Sequence, residues 1–160
     1  MSGYSHSQLT AYCGLYCGDC LRFDSRALRL ARELEAELDQ GGWEPYAQAK
    51  AAADPAQVRG AAQFAHWPQF RALLASLASQ ACAAPCRLGG DGCAGPCGVK
   101  ACCLAKGLEG CWQCPQFRSC PELKFLLPLH GQNLLDNLEL LQSRVPEQWA
   151  PQRRGFYAWS

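Results

Sequence analysis

Cysteine is the residue type whose placement speaks of chemistry in this chain. Of the twelve cysteines in 160 residues, nine fall between Cys82 and Cys120, and the other three form Cys13-Gly-Leu-Tyr-Cys17-Gly-Asp-Cys20. Thiolates bind soft and borderline metals strongly, and short spacers close several of them on one ion at little loop-entropy cost. The pattern predicts metal held by sulfur.

Cys111-x2-Cys114 carries the strongest single signal, because a two-residue spacer forms the knuckle turn that aims two sulfurs at one tetrahedral ion. Cys102, nine residues before it, and Cys120, six residues after it, are each placed to join that ion. Cys82-x3-Cys86 and Cys93-x3-Cys97 offer further pairs, on one helical face or bracketing a loop. The trio Cys13, Cys17 and Cys20 supplies three sulfurs, so a fourth ligand must come from elsewhere in the chain or be left open. Two zinc ions are the expected cofactor, since Zn²⁺ favours four-thiolate sites, and an iron–sulfur cluster is the alternative. Cys103 is the expected spare, its neighbour Cys102 being better placed. His6, His66 and His130 are scattered and read as ordinary residues. The Trp112 ring is expected to shield the metal from water. Trp43, Trp67, Trp149 and Trp159 read as packing anchors.

Other chemistries fit less well. The trio's spacing is also that of radical S-adenosylmethionine enzymes, but those place an aromatic before the last cysteine, where this chain has Asp19, and need a partial α/β barrel. Cys111-Trp-Gln-Cys114 lacks the βαβ surroundings of a thioredoxin-like pair. The glycine-rich segment 88–98 has no Lys-Ser/Thr ending and follows no strand, which excludes a phosphate loop. An enzymatic reading, with a catalytic zinc or a Cys103 nucleophile, ranks last; Asp19 is the first carboxylate it would test.

The elements that must position these sulfurs are helical. Ser25 to Asp39 sets Ala27, Leu28, Ala31, Leu34 and Leu38 on one stripe, capped by Asp24 or Ser25 and ended by Gly41-Gly42. Asp54-Pro55 reads as an N-cap with proline in the first turn, and Pro68 opens a helix carrying Phe70, Leu73, Leu74 and Leu77. A further helix starts near Val99, and Leu134, Leu135, Leu138 and Leu141 repeat the pattern before Pro146. All of these stripes are expected to face a core. With three valines and no isoleucine there is little strand signal. The expected fold is a mainly α, small helical domain with cysteine-rich metal-binding loops and little or no β-sheet. It reads as one metal-stapled domain over 1–160, with a cysteine motif at 11–22, a helical region at 23–81, a cysteine-rich lobe at 82–123 and a helical tail at 124–160.

Composition narrows the function. A net charge of +1 and the lack of any basic run beyond Arg153-Arg154 argue against nucleic acid. The longest apolar run, at 125–129, is too short for a membrane. The first ten residues have neither a basic start nor a hydrophobic stretch, so a reducing cytoplasm, which disfavours disulfides, is the expected location. These readings lead to a structural zinc protein, not an enzyme, whose partner is another protein; electron transfer or redox sensing by an iron–sulfur cluster is the alternative.

Read together, the opening cysteine motif and the run from Cys97-Gly-Val-Lys-Ala-Cys102-Cys103 through Cys111-Trp-Gln-Cys114 to Cys120-Pro-Glu-Leu123 resemble the prokaryotic proteins grouped as domain of unknown function 3795. The resemblance spans roughly residues 11–145 and includes Cys86-Arg87 and the helix from Leu134 to Leu141. It implies a small cysteine-rich, metal-binding domain with no established reaction. The family's characteristic cysteines fall on Cys13, Cys17, Cys20, Cys86, Cys97, Cys102, Cys111, Cys114 and Cys120. Cys82, Cys93 and Cys103 match less closely, and of these Cys82 and Cys93 are additional metal candidates.

Overall fold

The structure is a computed structural model that describes residues 3–90 and 96–160. Cys93 therefore lies outside the described residues. These hold α1 (His6–Leu9), α2 (Arg26–Gln40), α3 (Trp43–Ala51), α4 (Ala61–Phe64), α5 (Trp67–Ser79), α6 (Gly98–Ala105), α7 (Leu127–Gln142) and α8 (Pro146–Trp149), joined by short 3-10 turns. Among the described residues there is no β-strand, only two isolated bridges, Thr10 to Tyr16 and Phe23 to Cys82. The mainly α expectation is met. The chain divides into two compact units, one formed by residues 1–23 with 82–160 and the other by residues 24–81. The second unit, residues 24–81, holds no cysteine.

In that unit α2 begins where expected, with the Ser25 side chain accepting from the Leu28 N–H at 3.4 Å. Its buried stripe of Leu28, Ala31 and Leu38 includes the positions that meet Leu74 and Ala78 of α5, with Trp67 at the edge. Arg32 Nε donates to the Ala78 carbonyl at 2.9 Å and Arg71 pairs with Asp39, so polar contacts flank a narrow core. The expectation that every apolar stripe is buried fails here. Leu73 is 62% exposed and Phe70, Leu77 and Leu34 are also exposed, because α2 and α5 bury only one line of residues each. Asp54-Pro55 opens no helix either. The Asp54 carboxylate accepts from the Ala56 N–H at 2.9 Å in a turn, and Gly60, at φ +83°, ends the segment before helix can propagate. The tryptophans divide: Trp149 is fully buried, whereas Trp43 and Trp159 are exposed.

The first unit is built around α7, whose Leu134, Leu138 and Leu141 are buried as their spacing predicts. Gly131 (φ 54°, ψ −144°) kinks the helix in a conformation open to glycine alone. The tail from Ala150 onward lies along α7. His130 Nδ1 donates to the Phe156 carbonyl at 2.5 Å, Asn133 Nδ2 to the Tyr157 carbonyl at 2.9 Å, and the Ala158 N–H to the Leu129 carbonyl at 2.9 Å. Asn137 is buried but satisfied: its Oδ1 accepts from Arg154 N–H at 2.8 Å and Trp149 Nε1 at 3.3 Å, and its Nδ2 donates to the Arg154 carbonyl at 3.3 Å.

Candidate metal centres

The N-terminal cysteines sit on a small hairpin whose bonds explain their glycines. The Ala11 N–H donates to the Leu15 carbonyl at 2.8 Å, and Gly14 turns the chain at φ +81°. A Cβ on Gly14 would stand 2.6 Å from Leu138 Cδ2, so the Cys13-Gly14 pair is pressed directly onto α7. The chain then enters a single 3-10 turn, Cys17–Asp19, closed by the Cys20 N–H on the Cys17 carbonyl at 3.0 Å. Cys111–Gln113 forms the same turn, closed by the Cys114 N–H on the Cys111 carbonyl at 3.0 Å. Each two-residue spacer therefore folds as the knuckle that its length predicts.

Six cysteines share one cavity beside the first knuckle. Cys13, Cys17, Cys20, Cys82, Cys86 and Cys97 line one cavity of about 260 Å³, walled by Phe23, Val99, Leu126 and Phe156. The Cys82 N–H donates to the Arg22 carbonyl at 2.9 Å, which anchors the second cysteine segment beside the first. Cys86 opens a 3-10 turn and Cys97 caps α6, so each is set at the start of a fixed element. The spacer from Cys82 to Cys86 thus brackets a loop and does not lie on a helix. Burial pushes the Cys17 thiol up to about 12, with the neighbouring sulfurs of Cys86, Cys20 and Cys82 adding to the rise. Burial raises Cys86 as well, and Cys97 adds to it.

Five sulfurs form a second group around a cavity of about 200 Å³: Cys102, Cys103, Cys111, Cys114 and Cys120. Cys103, set aside on spacing, has its sulfur 3.8 Å from that of Cys111, both buried. Burial raises the Cys111 thiol, reinforced by Cys103, and raises Cys103 too. Lys106 faces this group, and the charges of Cys102 and Cys114 raise its pKa. Phe117 is the aromatic ring lining the group. Trp112, assigned a shielding role from sequence, instead packs beside the Arg87 guanidinium, 5.5 Å from its ring.

Each of the eleven described cysteines lines one of the two cavities. Among the described residues no three His, Cys, Asp or Glu side chains converge as ligands of a single ion. His130 lies with Phe156 and Tyr157, not with either sulfur group, and His6 Nδ1 bonds the Tyr16 hydroxyl at 2.6 Å.

Two arginines that spacing did not single out tie the groups into the unit. Arg87 Nε donates to the Thr10 carbonyl at 2.6 Å and Nη2 to the Glu109 carbonyl at 2.5 Å, while the guanidinium stacks 4.6 Å from the Tyr12 ring. Beside it the Cys111 N–H donates to the Tyr12 carbonyl at 2.8 Å, so one hydrogen bond separates the residue before Cys13 from Cys111. Arg153 grips both oxygens of Asp19, at 2.5 and 2.6 Å, and lies 4.2 Å over the Tyr16 ring. Asp19 is thus committed to an ion pair and is no free base. Arg87 had a local signal, its place after Cys86; Arg153 had none, standing 134 residues from its partner.

No helix among the described residues is long and apolar enough to cross a membrane. No curated protein and no solved structure matches the chain. Residues 9–125, which hold every described cysteine, match the family described as protein of unknown function (DUF3795), and the chain belongs to that family.

Proposed function

We propose that this chain is a metal–thiolate protein in which two groups of cysteines bind metal and thereby staple distant segments of one unit together. The observation that supports this most strongly is the sorting of the eleven described cysteines into groups of six and five with none left over. Buried thiols clustered without disulfides have raised pKa values, and a metal relieves that cost by taking the place of the protons.

Zinc is the reading for the second group. At a Zn–S distance of about 2.3 Å a tetrahedral site has sulfur–sulfur edges of about 3.8 Å, and Cys103 and Cys111 stand 3.8 Å apart. Cys114 and Cys120, which line the same cavity, would supply the other two ligands once the ion draws the sulfurs together, with Cys102 bonded to Lys106 at the rim. The role is structural, since a structural zinc contributes on the order of 10 kcal/mol of folding free energy, comparable to the whole net stability of a domain. The partner is a protein, and the exposed apolar side chains of α2 and α5, such as Phe70 and Leu73, are suited to meeting it.

The test is metal analysis with thermal unfolding of the full chain and of the double variant Cys111→Ser, Cys114→Ser. The variant should lose metal and melt at a lower temperature. Unchanged metal content and an unchanged melt would overturn the reading.

A further inference from the structure

We infer that the cavity ringed by Cys13, Cys17, Cys20, Cys82, Cys86 and Cys97 takes an iron–sulfur cluster, ligated by Cys17, Cys20, Cys86 and Cys97. This rests on the metal–thiolate reading above and names the group that one of the two centres holds.

The first argument is size. A four-thiolate zinc site has no interior, because its sulfurs meet on an ion with edges of about 3.8 Å. Here six cysteines are among the residues lining a cavity of about 260 Å³, larger than the one of about 200 Å³ at the second group. A cavity of about 150 Å³ already admits a benzene ring. A four-iron cluster presents its irons at the corners of a cube, so its thiolates surround a volume and do not meet at a point.

The second argument is the environment of the sulfurs. Cluster thiolates are stabilised by backbone N–H groups aimed at sulfur and by exclusion of water. The Arg22 N–H donates to the Cys20 sulfur at 3.5 Å, the backbone of Cys86 to the Cys17 sulfur, and the backbone of Tyr12 to the Cys86 sulfur. Phe23, Val99, Leu126 and Phe156 supply apolar walls. Lys100, whose ammonium donates to the Cys86 carbonyl at 3.3 Å, places a positive charge beside a cluster whose net charge is negative.

The same contacts choose among the six sulfurs. The Cys82 sulfur is turned onto the Ala84 carbonyl at 3.1 Å, which sets it apart from the ligand set. Cys97 occupies the N-cap position of the eight-residue α6, and its charge acts on Cys86. That coupling to Cys86 makes Cys97 the fourth ligand.

The test uses the full chain purified without oxygen and, separately, stripped of metal and reconstituted with ferrous iron and sulfide. The expected product is brown and carries about four iron and four acid-labile sulfide per chain. Its visible absorption and reduced-state electron paramagnetic resonance signal should be lost in Cys17→Ser and Cys86→Ser but kept in Cys114→Ser. A colourless chain holding zinc alone, unaltered by reconstitution, overturns the cluster and leaves the metal–thiolate reading standing. A chain holding no metal overturns both. A cluster that survives Cys97→Ser but not Cys13→Ser overturns the fourth ligand. Should the variants fail to fold, the iron and sulfide content of the unaltered chain still decides.

Discussion

Gly14 is where the sulfur-bearing hairpin meets the helical core, and replacing it by alanine tests that junction quantitatively. Its φ of +81° costs an L-residue about 1–2 kcal/mol. The added Cβ would also stand 2.6 Å from Leu138 Cδ2 and 3.1 Å from Cγ. Leu138 is fully buried against α7's neighbours and has no room to retreat. Overpacking of this kind costs about 1–3 kcal/mol, so Gly14→Ala should destabilise by about 2–5 kcal/mol in all. Leu138→Ala alone should cost about 2–5 kcal/mol through its cavity. In the double variant the clash has nothing to strike, and only the backbone term remains. The two changes should therefore couple favourably by about 1–3 kcal/mol. Urea unfolding of all four proteins, at matched metal content so that binding linkage cancels, measures the cycle. Effects that simply add, to within about 0.5 kcal/mol, would refute the packing argument.

Three other outcomes follow from the same structure. Arg153→Ala, which breaks the bidentate pair with the half-buried Asp19, should cost about 1–3 kcal/mol in urea unfolding; wild-type stability in that variant would mean that the tail is not held there. His130 is buried and its pKa lies below the ordinary 6.5, chiefly through burial, so the unfolded chain binds the proton more readily. The stability of the neutral form is present above the unfolded pKa and is lost as pH falls through the folded one. Wild type should therefore lose stability relative to His130→Phe between about pH 7 and pH 5, and parallel pH profiles would contradict this. Metal loading of the apo chain at neutral pH should release protons, because Cys17 titrates only near 12 without metal; indicator-dye titration would show no release if the thiols were not ligands.

Local features of this fold were legible from residue spacing, and non-local ones were not. Cys17-x2-Cys20 and Cys111-x2-Cys114 both fold as single 3-10 turns because a two-residue spacer leaves the backbone little choice. The Ser25 cap and the Leu134, Leu138, Leu141 stripe read correctly for the same local reason. Phe70, Leu73 and Leu77 did not, since helical periodicity reports an apolar face without saying whether anything covers it. Asp54-Pro55 carries the letters of a helix start, but the Asx turn and Gly60 compete with propagation over so short a stretch. The trio's count of three leads to the expectation that a fourth ligand comes from elsewhere in the chain or is left open. That Cys82, Cys86 and Cys97 line the same cavity depends on long-range contacts such as Cys82 to Arg22, which no spacing encodes.

Native mass spectrometry of the intact chain tests the metal–thiolate account most directly. The account predicts a mass above that of the bare polypeptide which falls in two separate steps, one lost with Cys17→Ser and the other with Cys114→Ser. A folded wild-type chain at the bare polypeptide mass would contradict it.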